Sequence, residues 1–264
     1  MLLAEIHGHA IAEAQNSEDY LTSAVFGHLR YLPPAVFWRR LSDKARTLPI
    51  SGESSTLAVT LERVSVLLHE YENLDIEFWP SHPLYGIPDL ILVFTGEGKR
   101  PIVVLIEVKL RAGKSGTGEY DQIARYLKLL DKPAGLSKEL PAHAISVLVY
   151  LTERDSSAEI EESILACTES EQARNRVFQL HWQDIVEAAQ EAMSDCPVGM
   201  FRMVLGDVST FLRIRGLEYF NGYKQVGGLP IGAISGGFYD LECFRRLALP
   251  IDFVIRKARW ANAG

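Results

Sequence analysis

A chain of 264 residues that is 47% apolar can bury a full domain core, which excludes predominant disorder. Its longest apolar stretch is about the eight residues of AISVLVYL, far below the ~20 that cross a bilayer, so no membrane helix is expected. A net charge of −7 excludes a protein that coats nucleic acid by bulk attraction, because phosphate binding requires a clustered positive face.

The opening MLLAEIHGHAIAEA carries Glu5 and two histidines where a secretory leader has a basic start and an unbroken apolar run, so a cytoplasmic protein is expected. Asn16 or Ser17 is placed to cap a first helix, in which Leu21, Val25 and Leu29 recur every fourth residue as one apolar stripe, and Leu32-Pro33-Pro34 ends it. AVFWRRLSDKARTL and LAVTLERVSVLLHEYEN are predicted as two further amphipathic helices.

Strands follow. LDIEFWP, IPDLILVF and PIVVLIEVKL are rich in β-branched and aliphatic residues, and the turn TGEGKR joins the last two as a hairpin. GTGEYDQIARYLKLLDKP places Ile123, Tyr126, Leu127 and Leu130 at helical spacing and ends before Pro133. AISVLVYLT is predicted as a buried strand, SAEIEESILACTES as a helix with an acidic face, RVFQLHW as a strand and QDIVEAAQEAM as a helix. Helices interleaved with apolar strands indicate an α/β fold, a mixed β-sheet flanked by helices, over residues 1–195.

From Cys196 the texture changes, since 10 of the 20 glycines fall in the last 69 residues. A helix near 198–214 and then a Gly-rich, aromatic tail are expected, making 196–264 a small C-terminal extension packed on the core. Cys167, Cys196 and Cys243 are widely spaced and odd in number, which points to neither a disulfide framework nor a thiolate zinc site.

The chemistry concentrates between residues 86 and 128. Glu107 and Lys109 stand two apart in a strand otherwise made of Val, Ile and Leu, so both side chains leave the same face. Desolvating such groups costs several kcal/mol per ion unless partners compensate. If the turn pairs Phe94 with Ile102, paired residue numbers sum to 196 and Asp89 faces Glu107, with Cβ atoms about 4.5–5.5 Å apart. Two carboxylates at that range repel unless a cation lies between them. A register slip of two would leave them diagonal on one face, and an odd slip would separate them. Mg²⁺ takes a few carboxylate oxygens, keeps several waters and accepts phosphate oxygen, which suits phosphodiester hydrolysis. Lys109 would then orient or activate the attacking water, or neutralise developing phosphate charge. Lys99, Arg100, Lys109, Arg111, Lys114, Arg125 and Lys128 outnumber Glu107, Glu119 and Asp121 in the same segment, so a polyanion is expected to dock there.

Pro88-Asp89, then Glu107-Val108-Lys109 at the end of the next apolar strand, then a helix, resembles the PD-(D/E)XK nuclease superfamily. Gln122 and Tyr126 in QxxxY spacing, and Gly86-Ile87-Pro88-Asp89 in GxxD form, are similar to its RecB-like branch. The resemblance covers residues 86–130 closely and 18–182 loosely. It implies a restriction-endonuclease-like fold and a Mg²⁺- or Mn²⁺-dependent deoxyribonuclease of bacterial DNA repair, restriction or defence. Asp89, Glu107 and the Val108 carbonyl would hold the metal, with Glu18 as the acid from the first helix. Gln122 and Tyr126 would position substrate, and Arg111, Lys114, Arg125, Lys99 and Arg100 would contact DNA. A homodimer or a partner subunit is compatible with the pattern. The histidine that often accompanies the branch upstream has no clear match, His28 being poorly placed.

Rival readings exist for each feature. Glu107 and Lys109 alone would make an ordinary ion pair on a sheet, and the chain would then be a non-catalytic nucleic-acid-binding or scaffold subunit. Ala112-Gly113-Lys114-Ser115 follows a strand and precedes a helix like a P-loop, but Val108 stands where that motif needs its first glycine.

Overall fold

The computed structural model of the chain describes residues 17–49 and 52–219 together with Ile6. In chain order its elements are α1 (Glu18–Leu29), a π-helical turn (Pro34–Trp38), α2 (Arg39–Lys44), α3 (Leu57–Glu62), β1 (Asn73–Phe78), β2 (Leu90–Thr95) and β3 (Ile102–Val108). There follow α4 (Gln122–Asp131), β4 (Ile145–Thr152), α5 (Ser157–Leu165), α6 (Ser170–Arg174), β5 (Val177–His181), α7 (Trp182–Asp195) and α8 (Gly199–Ile214).

The strands form one five-stranded sheet in sequential order. β1, β2 and β3 pair antiparallel, whereas β3, β4 and β5 pair parallel because helices cross between them. Both faces are covered, so the central strands are apolar on both sides. Leu90, Leu92, Phe94, Val104 and Ile106 point to the core made with α1, α7 and α8. Ile91, Val93, Val103 and Leu105 point to the second core, made with α4 and α5. The chain is thus an α/β protein with a mixed sheet flanked by helices. Among the described residues no helix is long and apolar enough to cross a membrane.

Ser17 caps α1, its side chain accepting from the Tyr20 N–H at 3.2 Å. Two of the expected helices are shorter than the apolar pattern implied. The stretch beginning at Ala35 leaves helical geometry after Lys44, and Arg46 instead pairs with Gln179 on the outer strand β5. The stretch beginning at Leu57 stops at Glu62, where Val66 N–H returns to the Leu61 carbonyl and Ser65 takes φ +59. That closure is a Schellman motif with serine at the position glycine normally holds, so no stop signal was visible. The acidic helix expected over 157–170 is α5, which ends at Leu165, and α6 is a separate short helix that begins at Ser170.

The helix expected near 198–214 is α8, which buries Leu205, Val208, Phe211 and Leu212 in the first core. Residues up to Tyr219 belong to one compact unit, with the first part of the expected extension packed on its core. The remainder of the expected Gly-rich extension lies outside the described residues.

Candidate metal and active site

The β2–β3 ladder pairs Phe94 with Ile102 and runs to Leu90 opposite Ile106. One step further along the same register, Asp89 and Glu107 stand opposite each other on the face that carries α4. Asp89 Oδ2 accepts the Val108 N–H at 2.8 Å, so a side chain continues the ladder where the strand ends. Both carboxyls are buried, Asp89 at 9% and Glu107 at 1% exposure. Burial first, and the facing Asp89 second, push the Glu107 carboxyl up to about 8. Burial also raises Asp89, against the stabilising Val108 N–H. The two side chains also hydrogen-bond to each other, so near neutral pH the pair favours holding a proton between them.

Glu107 Oε1 accepts from Lys109 Nζ at 2.6 Å and from Gln122 Nε2 at 2.6 Å. Its second oxygen, Oε2, is buried and receives no N–H or hydroxyl donor from the described residues, while the Glu107 and Asp89 carboxyls are in hydrogen-bond contact with each other. Two buried carboxyls so placed need a shared proton or a cation between them.

Lys109 Nζ also reaches Glu18 Oε1 at 3.4 Å. Burial opposes its charge, but Glu107, Glu18 and Asp89 outweigh burial and raise its pKa, so it is a firm ammonium. Glu18 lies in the first turn of α1, and its Oε2 accepts the Leu110 N–H at 2.7 Å. The first helix is thereby tied to the end of β3.

The other wall is α4. Ser115 N–H donates to Gln122 Oε1 at 3.1 Å, which leaves the Gln122 NH₂ directed at Glu107 Oε1 and, at 3.3 Å, at the Tyr126 hydroxyl. Tyr126 donates to the Ile87 carbonyl at 2.9 Å and so holds the segment that delivers Asp89. Burial, then the nearby Glu107, push its phenol up to about 12. Asp89, Glu107, Lys109, Glu18, Gln122 and Tyr126 therefore meet at one end of the sheet, with Val108 between two of them.

The expected basic contacts are mostly elsewhere. Lys99 and Arg100 sit in the hairpin turn, at the opposite end of β3 from Glu107 and roughly 20 Å away at ~3.4 Å per residue. There Lys99 pairs with Glu70 at 2.6 Å, and Arg100 donates to the His143 carbonyl at 2.6 Å. Lys114 points inward at 5% side-chain exposure, ion-paired with Asp121 and, at 3.2 Å, with Glu162. Its ion pairs tie the P-loop-like stretch to the cap of α4 and to α5. Arg125 is half-buried beside Gly86, while Arg111 is exposed at the start of the following loop.

The sequence patterns did not single out three further groups. Asp121 is buried, caps α4 by accepting the Ala124 N–H at 2.9 Å, and takes a hydrogen bond from Ser163 at 3.0 Å. Glu159 accepts from Tyr150 at 2.9 Å and from the Lys114 N–H at 3.0 Å, anchoring the loop from behind. Trp79 is exposed beside Asp89, its N–H donating to the Asp89 carbonyl at 2.9 Å. An aspartate just before a helical run is a readable cap signal; the other two depend on partners distant in sequence.

Among the described residues no group of three or more His, Cys, Asp or Glu side chains is arranged to hold a metal ion. The donor set at this site is instead two facing carboxylates with a backbone carbonyl between Glu107 and Lys109. No family model, curated protein or solved structure matches the chain significantly.

Proposed function

We propose that this chain is a metal-dependent nuclease that hydrolyses DNA phosphodiester bonds. The observation that carries this reading is the buried pair of facing carboxyls, Glu107 and Asp89, which are in hydrogen-bond contact with each other while Glu107 Oε2 has no N–H or hydroxyl donor among the described residues. A divalent cation there would replace the proton that burial first, and the facing Asp89 second, keep on the pair, and would bind both carboxylates. Asp89, Glu107 and the Val108 carbonyl would hold Mg²⁺ or Mn²⁺, with Glu18 at the margin. When bound, the ion would polarise a phosphoryl oxygen and acidify a coordinated water.

The chain's own groups supply the rest. Lys109, whose ammonium the neighbouring carboxylates favour, would orient the attacking water and balance negative charge growing on the phosphate. Gln122, fixed by Ser115, holds the Glu107 carboxyl in one rotamer and links it to the Tyr126 hydroxyl. Tyr126 keeps the Ile87–Asp89 segment in place through its bond to the Ile87 carbonyl.

The test is incubation of the purified protein with linear, circular and single-stranded DNA in Mg²⁺ or Mn²⁺, beside Asp89→Ala and Lys109→Ala. Cleavage by the wild type and its loss in both variants is the expected result. Activity that survives Asp89→Ala would refute the mechanism. The engagement of Glu107 Oε1, Asp89 Oδ2 and Glu18 within the protein favours a second reading, a non-catalytic binding subunit. A wild type inert on every substrate would support it.

A further inference from the structure

Beside Asp89, on the side away from Glu107, the surface carries a row of rings and one guanidinium. β1 ends at Phe78 opposite Leu90, and Trp79 follows with its backbone bonded to Asp89. Trp79 takes φ +50, the left-handed region that bulky side chains avoid. An outlier of this kind at the rim of a site invites a functional account. Its side chain is not buried as compensation, since Trp79 is 40% exposed.

The Phe78 and Trp79 rings lie 5.6 Å apart between centroids, and Arg30 stands 5.9 Å above Phe78 and 6.0 Å above Tyr31. Tyr31 is 70% exposed. Arg30 is exposed too, and among the described residues it has no carboxylate partner. Phe78 is half-buried against the first core and carries Arg30 and Trp79 beside it, so the exposed rings are Tyr31 and Trp79 with the guanidinium between them. Such a surface is one on which unpaired bases stack, because every base has a π-face and every nucleotide a negative phosphate. Bases within a duplex already have both faces covered and gain nothing from it.

We propose that Tyr31, Arg30, Phe78 and Trp79 form a stacking platform for unpaired bases, so that the strand presented to Asp89 is single-stranded. The Trp79 backbone is bonded to that of Asp89 at 2.9 Å, so a strand stacked on this ring passes beside that residue. The cleavage half of this statement rests on the nuclease reading; the binding half does not.

Equilibrium binding in EDTA, where no strand is cut, tests it with oligo-dT, oligo-rU and a blunt DNA duplex of equal length. The wild type is expected to bind a single strand more tightly than the duplex, with quenching of tryptophan emission. Trp79→Phe keeps a ring, so it should retain affinity within about threefold and lose most of the quench. Trp79→Gly suits the left-handed backbone and so should fold, and it should bind oligo-dT about tenfold more weakly. Tight binding of oligo-dT or oligo-rU supports the platform, and the tighter of the two names the sugar. Unchanged affinity in Trp79→Gly, a preference for duplex, or no binding of either single strand overturns it. Cleavage of the same strands in Mg²⁺, wild type against Asp89→Ala, judges the nuclease reading separately.

Discussion

The Val108 N–H donates to Asp89 Oδ2 at 2.8 Å, so the residue between Glu107 and Lys109 fixes the carboxylate of the neighbouring strand. Asp89 therefore has two separable duties, an acceptor for Val108 and a negative charge facing Glu107. Asp89→Asn keeps an acceptor and removes the charge. In EDTA its melting temperature should equal or exceed that of the wild type, because burial penalises the aspartate charge and the amide carries none. Metal-dependent cleavage should fall by more than about a hundredfold, beyond what loss of an outer-shell partner costs. Calorimetry and a cleavage assay on one preparation check both signs.

The raised Glu107 pKa predicts a pH dependence of stability. Unfolded, the carboxyl titrates near 4.5; folded and metal-free, near 8. Between those values the folded state binds the extra proton, so stability is fully present below about 4.5 and is lost as pH rises toward 8. Asp89, also raised, contributes with the same sign. In EDTA the melting temperature should thus decline from pH 5 to pH 8, and Glu107→Gln should flatten the decline. Mn²⁺, which displaces the proton, should stabilise the wild type most at the alkaline end.

Much of this site was legible because sheet parity is rigid. Once Phe94 pairs with Ile102, the odd-numbered residues Asp89, Glu107 and Lys109 fall on one face, and Gln122 and Tyr126 one helical turn apart can face them. The same register also places Lys99 and Arg100 at the far end of the hairpin, which their closeness in sequence obscured. Lys114 was illegible for another reason. Its loop, RAGKSGTG, has the composition of a flexible segment, while its partners Asp121 and Glu162 come from the α4 cap and α5. The end of α3 was hidden because Ser65 adopts a conformation that glycine usually marks.

The inward ion pair of Lys114 gives a test that separates structural from binding cations. Lys114→Met leaves Asp121 buried without its counter-charge, though Ser163 and the Ala124 N–H still serve that carboxylate. The cost is expected at about 2 kcal/mol, below the usual loss for a broken buried pair. For a domain of this size that lowers the melting temperature by roughly 4–8 °C. DNA affinity of the folded fraction should not change. Lys99→Ala, at the far turn, should leave both melting temperature and DNA binding near wild type.

Gly116 is the point at which loop geometry and active-site chemistry meet. It holds φ +76, and a Cβ there would lie 2.1 Å from the Tyr120 carbonyl oxygen. Because the obstacle is backbone, no rotamer change relieves it, and Gly116→Ala must move the loop. Ser115 then loses its bond to Gln122 Oε1, and the Gln122 amide is no longer held toward Glu107. Cleavage should fall about tenfold or more, in line with losing a supporting hydrogen bond behind a metal ligand. The conformational term alone should remove about 1–2 kcal/mol of stability. Gly98→Ala supplies the control. Gly98 also has a positive φ, +67, but nothing lies within 4 Å of its Cβ position, and it sits in the hairpin turn remote from Glu107. That variant should lose a comparable conformational increment and keep its activity. Equal loss of cleavage in both variants would show that Gln122 does not depend on the loop.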